Sequence, residues 1–373
     1  YGDHRDLHLS LRRQRQMCIR DRLYTRQNPE INLRFGPQIA NDIRRQVIIP
    51  IWNIYSFFTN YAILDKFSAP DKLTEPTSDN LMDVWILAEL KETSENVKNH
   101  LKLYQPDKAA LSIENFINLL SNWYIRSNRR RFWKSGNFES EQIDSDKLSA
   151  YETLYFVLIS LTKIMSPIIP FITEEIYTNL TSAASWAKES VHLENYPEFK
   201  KLTKDEVELQ IATRAAMKIS SLARAARSKA KIKVRQPINS LIFKSKEKIS
   251  SKYLDMIKKQ VCDEVNVKKV ESPISNNTSL SNVIIKPNNA VLGPKIGDKL
   301  GLLNKEILSS NHNDLYDELQ KNKQIILSGI ELKLEDLNIE HASLPDSEFI
   351  EDNNYQVSVS YTHLRAHETL RYR

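Results

Sequence analysis

Glycine is scarce, with seven residues in a chain of 373. A chain so poor in the residue that tight turns and left-handed corners demand has little scope for a turn-rich β architecture, and its long segments of apolar periodicity point to helix. Cysteine is scarcer still: there are two, and Cys18 falls in a stretch set aside below, so Cys262 stands alone. One thiol makes neither a disulfide nor a cysteine-rich zinc site. The eight histidines are scattered, four of them near the termini, and no metal is assigned. No uninterrupted apolar run approaches the ~20 residues of a membrane span, so the chain reads as soluble; it is expected to be cytoplasmic and monomeric. Its length allows two or three domains.

The two ends break abruptly from their neighbours. Leu9 to Arg22 and Val357 to Arg373 lack a clean period and resemble translated sequencing-adapter read-through. Residues 1–22 and 357–373 are therefore excluded from fold reasoning. They carry net charges of +3 and +2, so the formal +6 of the whole chain falls to +1 without them. The high isoelectric point is then no argument for nucleic-acid binding.

Local charge is a better argument. Acidic residues are absent from two stretches: between Glu208 and Glu247 there are ten Lys or Arg, and Arg126 to Lys134 holds five more. The remainder between residues 23 and 356 must then sum to −14, so positive charge is segregated on an otherwise acidic body. That is the footprint of a phosphate-backbone binder.

The first basic stretch ends a helix opened by Pro106. Ile113, Phe116, Ile117, Leu120 and Trp123 or Tyr124 follow the i, i+3, i+4, i+7 spacing of a buried face. Arg126, Arg129, Arg130, Arg131 and Lys134 then interleave with Phe132 and Trp133. Guanidinium groups bind phosphate bidentately and indoles stack on bases, which is chemistry an RNA surface needs. The alternative is structural: arginines in a last turn favour the helix dipole, and Trp123 and Trp133 belong to the core.

Other helices are expected from Pro37 toward Tyr61, kinked at Pro50; from a Ser78 or Asp79 cap to about Tyr104; over 146–165, buried on all sides at Leu154 to Leu161; to about Leu180; and over 203–230, with Ile211, Ala215, Ile219, Leu222 and Ala226 as its seam. Lys231 to Arg235 alternates basic with β-branched apolar residues, which predicts an extended segment, with a charge-protected edge strand as the other reading. Beyond Pro237 short strands (241–243, 264–270, 283–286 and pieces of 324–341) mix with helices (248–260, 294–309, 315–321), so a small α/β unit follows the all-helical one. The expected divisions are a helical segment over 23–77, a helical bundle over 78–237 and the α/β domain over 238–356.

Several collinear blocks then carry a resemblance. Asn32 to Phe35 followed by Ile48 to Phe58, Leu81 to Leu90, Trp123 to Lys134, Met165 to Tyr177, Ser190 to Pro197 and Arg224 to Pro237 are similar to segments of isoleucyl-tRNA synthetases that follow the catalytic core. The resemblance implies a class I synthetase's helical anticodon-binding bundle followed by the C-terminal domain of the isoleucine type. Val283 to Gly297 looks like the isoleucyl C-terminal extension rather than the coiled-coil arm of a valyl enzyme. The family's His-x-Gly-His and Lys-Met-Ser-Lys-Ser signatures are absent from the sequence. The implied parent reaction joins isoleucine to its tRNA with ATP and Mg, while this chain holds no catalytic residue and no zinc. Its implied partner is the isoleucine tRNA, contacted by Trp123, Arg126, Arg129, Arg130, Arg131, Trp133, Lys134, Arg224, Arg227, Lys231, Lys233 and Arg235. A helical scaffold that binds protein without RNA specificity is the competing expectation.

Overall fold

The computed structural model describes residues 17–28, 30–32, 36–133, 144–272, 280–297, 300–327, 329–344 and 347–360. It is mainly helical, with strands confined to the C-terminal part, as composition predicts. Two compact units divide at Gln210/Ile211, inside a helix, whereas the composition changes at Pro237.

In the first unit α1 spans Pro37–Leu64. Its turn Arg44–Ile48 is π-helical. The wider turn lies just ahead of Pro50, whose missing N–H and bulky ring disturb an ordinary α-helical ladder. α2, Leu81–Lys102, is capped by Asn80, whose side chain accepts from the Met82 amide. The expected cap, Ser78, is used elsewhere: its hydroxyl donates to Asp83. α3 begins with Pro106 at its first turn, Pro106–Leu119. It passes through a second π-helical stretch, Leu120–Ile125, and ends in Arg126–Trp133. The expected terminator, Gly136, lies outside the described residues. α4, Ser145–Met165, is buried at every position from Leu154 to Thr162, the sign of a central core helix. α5 spans Pro170–Thr181.

An aromatic cluster ties these helices together. Phe57 and Tyr151 meet Phe132 edge-on at 5.1 and 5.2 Å, and Phe67 stacks on Tyr151 at 5.3 Å. Such pairs add to the energy of area burial and fix ring orientation. At the C-terminus of α1, Asp65 accepts from the Tyr151 hydroxyl and pairs with Lys147 at 2.6 Å. Residues 17–24 are also helical; Cys18 and Leu23 are buried, and Arg22 pairs with Glu114 at 2.9 Å.

By length and composition alone, Pro37–Leu64 and Ser145–Met165 are long and apolar enough to cross a membrane, although neither holds an uninterrupted apolar run of that length. Averaging tolerates the scattered Asn, Ser and Thr that break each run. The most apolar window of α4 is 78% buried, so protein neighbours already satisfy it.

The second unit begins within α6, Lys204–Lys229. Its buried seam is Ala212, Ala215, Ala216, Ile219, Ala223 and Ala226; Ile211, expected in that seam, is exposed. A sheet of order β2-β1-β8-β7 follows. β1 (Ile238–Ser245) and β2 (Val267–Glu271) run parallel through a crossover by α7 (Leu254–Val265), with Ile238 opposite Val267. β8 (Tyr355–Ser360) lies antiparallel between β1 and β7 (Ser347–Glu351). Excluding everything after residue 356 is corrected for 357–360: Val357 and Val359 are fully buried and pair with Phe243 and Leu241.

A separate small core is built by β3 (Ser281–Pro287), α8 (Asn289–Ile296), α9 (Leu300–Ser309), α10 (His312–Asn322), the hairpin of β4 (Gln324–Leu327) and β5 (Ile330–Lys333), and β6 (Leu337–Ser343). Ile285, Leu303, Ile307, Leu319, Ile325 and Leu332 fill it. The single helix expected over 294–309 is two, parted at Gly297, whose φ of +45° suits a residue without a side chain.

Half-buried ion pairs make the helical unit acid-sensitive. Lys91 pairs with Glu75 at 2.7 Å and Glu206 at 2.8 Å, and Glu194 accepts from the Tyr177 hydroxyl and Lys163. Burial opposes ionisation of Glu194 and Glu206, but these donors outweigh it and hold both below the usual glutamate range. A depressed carboxylate contributes stability above its unfolded value, about 4.3, and loses it as pH falls through the lower folded value. Thermal melts should fall steeply below that pH, and Glu194→Gln with Glu206→Gln should flatten the fall. An unaltered acid limb in the double variant rejects this origin.

Candidate nucleic-acid interface

Helical geometry separates the last turns of α3 into two faces. Trp123, Tyr124 and Ile125, three consecutive residues of the π-helical stretch, are all in the core. Beyond it Asn128, Arg131 and Phe132 are buried, while Arg126, Arg129, Arg130 and Trp133 are exposed. The exposed set has i, i+3, i+4, i+7 spacing and forms one stripe. Trp133 is 55% exposed, and the Arg129 guanidinium lies 6.0 Å from its ring centroid.

Beneath the stripe sits a polar network centred on Asp83 of α2. Its carboxylate is fully buried and receives both forks of Arg131, at 2.7 and 2.9 Å. The Tyr124 hydroxyl adds a 2.7 Å bond, and those of Ser78 and Ser149 complete the shell at 2.7 and 3.4 Å. Arg131 also reaches the Asn128 side chain at 3.2 Å and the Asp146 carbonyl at 2.8 Å. Burial works against the Arg131 charge, yet Asp83 outweighs it and raises the guanidinium pKa; burial and the same carboxylate push the Tyr124 hydroxyl well up. Arg131 stays charged and Tyr124 stays a donor at any physiological pH.

This placement corrects two expected contacts. Arg131, 8% exposed, is an internal anchor rather than a phosphate ligand. Trp123, 5% exposed, is core and offers no stacking face. Lys134 lies outside the described residues.

The second basic stretch divides in the same way. Arg224 pairs with Glu264 at 3.2 Å. Arg227 is 1% exposed and donates from Nη2 to the carbonyls of Lys233, at 2.6 Å, and Gln236. With no carboxylate beside it, burial lowers its pKa. Arg227 is therefore turned inward, whereas the Arg224 side chain stays 36% exposed beside its partner. Lys231, Lys233 and Arg235 are exposed, and among the described residues none has a carboxylate within ion-pair distance. The segment is not extended as alternation predicted. The amides of Lys231 and Ile232 bond back to the carbonyls of Ser228 and Arg227, and Lys231 takes a φ of +59°. The chain curls over Arg227 because that side chain binds two of its carbonyls.

Three supporting residues went unseen in the sequence: Asp83, Asn128 and Asn266. Asp83 had a visible signal, a carboxylate among Met82, Trp85 and Ile86 on an apolar helix. Asn128 and Asn266 had none.

The comparisons fit this geometry. A family described as the anticodon-binding domain of tRNA ligase matches residues 83–243. Isoleucine–tRNA ligase of Clostridium tetani is 36% identical over 348 residues, covering 91% of this chain and 32% of that protein. The Clostridium acetobutylicum protein of that name is 37% identical over 319 residues, 85% of this chain and 30% of the relative. That of Dehalococcoides mccartyi is 41% identical over 259 residues, 69% and 25%. The chain belongs to the isoleucine–tRNA ligase family. It spans about a third of the length of these relatives. The matched stretch includes Asp83 and the whole network beneath the exposed stripe except Ser78.

Removing one partner of this pair strands the other. Asp83→Ala leaves a buried, uncompensated guanidinium and should destabilise the chain by about 3–5 kcal/mol. Asp83→Leu combined with Arg131→Met should recover much of that loss in urea unfolding. A double variant no more stable than Asp83→Ala alone contradicts the account.

Proposed function

We propose that this chain is the tRNA-binding, anticodon-recognising C-terminal part of an isoleucine–tRNA ligase. The observation that carries the reading is the exposed stripe of Arg126, Arg129, Arg130 and Trp133 within the matched anticodon-binding domain. Arginine forks fit phosphate oxygens, and an exposed indole beside a guanidinium stacks on an unpaired base, the combination that single-stranded RNA loops select. Lys231, Lys233 and Arg235 supply further phosphate contacts in the second unit. The partner is the isoleucine tRNA, in the cytoplasm, with the protein acting as a monomer. The parent reaction, ATP- and Mg-dependent joining of isoleucine to that tRNA, belongs to the remainder of such an enzyme; this sequence holds neither nucleotide-binding signature.

A scaffold that binds protein through the same helices is the competing reading, and one titration separates them. The chain should bind an isoleucine tRNA transcript with an affinity that falls steeply from 50 to 200 mM salt, as counterion release requires. Arg129→Gln with Arg130→Gln should lower the slope of log K against log salt by about 1.5–2, and Trp133→Ala should weaken binding by about 1–3 kcal/mol with little change in slope. Salt-independent binding, or equal affinity for an unrelated tRNA, sinks the reading.

A further inference from the structure

The loop between α6 and β1 has an inward and an outward side. Four consecutive carbonyls, those of Lys233, Val234, Arg235 and Gln236, are taken up by two side chains. Arg227 Nη2 binds the first and last. Asn266 Nδ2 binds the middle two, at 3.2 and 3.0 Å. Asn266 itself sits in the left-handed region at a φ of +54°, held by its position between α7 and β2 and by the 3.2 Å bond from the Ile238 amide to its own carbonyl. The amides of Lys233, Val234 and Arg235 have no acceptor among the described residues. Lys231, Lys233 and Arg235 are exposed. Partial negative charge is thus drawn toward the protein, leaving free donors and three cations. Beneath the loop lies a guanidinium whose Nε and Nη1 are buried without a hydrogen-bond partner and which faces no carboxylate. Successive unpaired amides and uncompensated positive charge are what an anion-binding concavity presents.

We propose that residues 231–236 form a preorganised phosphate-binding loop for a nucleic-acid backbone, with Arg227 and Asn266 as positioning residues that shape it and do not touch the ligand. The proposal deepens the tRNA-binding reading and rests on it: the ligand is the phosphodiester of the bound RNA, and the buried Arg227 charge adds to the field at the loop.

The test is a thermodynamic cycle on the full chain, read by fluorescence anisotropy with an isoleucine tRNA transcript across 50–200 mM salt. Lys231→Gln, Lys233→Gln and Arg235→Gln together should reduce the salt slope by about 2–3. Asn266→Gly keeps the left-handed backbone while removing the amide, and Arg227→Gln removes the fork. Each should weaken binding in the wild-type loop and weaken it less in the triple variant, because both act partly through the three cationic side chains of that loop. Circular dichroism at the assay temperature establishes that each variant is folded, and Asn266→Gly carries the test if Arg227→Gln is not. Unchanged binding by the triple variant, with Arg129→Gln/Arg130→Gln still weakened, overturns the loop site and leaves the wider reading standing. Losses from Arg227 or Asn266 that add fully to the triple variant, or that appear only as a lower Tm, overturn the positioning role. No binding by the wild-type chain at low salt overturns the tRNA reading itself.

Discussion

The buried pair of Asp83 and Arg131 is the constraint on which the exposed surface of the helical unit depends. A carboxylate with no access to water is tolerable only when its acceptor sites are filled, and four side chains on three other segments converge to fill them. That requirement sets the rotation of α3 about its own axis. Once Tyr124, Asn128 and Arg131 must face inward, Arg126, Arg129, Arg130 and Trp133 are left outside by helical geometry alone. Trp123 and Ile125 of the π-helical stretch lie in the core beside Tyr124.

Net charge says little about such a protein, and the count of basic residues in a stretch says less than it promises. Of the five cations from Arg126 to Lys134, one is neutralised internally by Asp83, and in the second stretch Arg224 is paired with Glu264. Lys218 and Lys229 are likewise paired, with Asp352 and Glu348. The electrostatic footprint is carried by the fewer side chains that buried partners have left outward. Salt dependence counts those, since only phosphate contacts release counterions.

Much of the architecture was legible because periodicity survives without tertiary information. The starts at Pro37 and Pro106, the all-round apolar character of Leu154 to Leu161 and the change to short strands after Pro237 follow from spacing and backbone chemistry. What was not legible depends on direction. Arg129, Arg130 and Arg131 are indistinguishable as residue types, and one falls inside only because Asp83 waits opposite it. Lys231 to Arg235 reads as a strand by alternation, yet carbonyl capture by Arg227 and Asn266 outweighs that weak preference. Trp123 and Trp133 are likewise the same residue type on one helix, yet the first lies in the core and the second is 55% exposed.

The choice of arginine at the two internal anchors has a geometric reason that also explains why lysine predominates in the loop outside. Arg131 must satisfy both oxygens of one carboxylate while reaching a backbone carbonyl and an amide oxygen, and Arg227 must bridge two carbonyls three residues apart in the chain. A planar fork with five donors meets the demands on Arg131 in one orientation, and the weakly hydrated guanidinium of Arg227 reaches both of its carbonyls from Nη2, whereas an ammonium group is a compact, strongly hydrated point charge that resists burial. On the surface the preference reverses for Lys231 and Lys233, where a long stem and a mobile charge follow an irregular backbone without a fixed approach angle. The stripe on α3 keeps arginine outside as well, because there a rigid helix and an adjacent indole hold the guanidinium planes where stacking and bidentate contact can be used together.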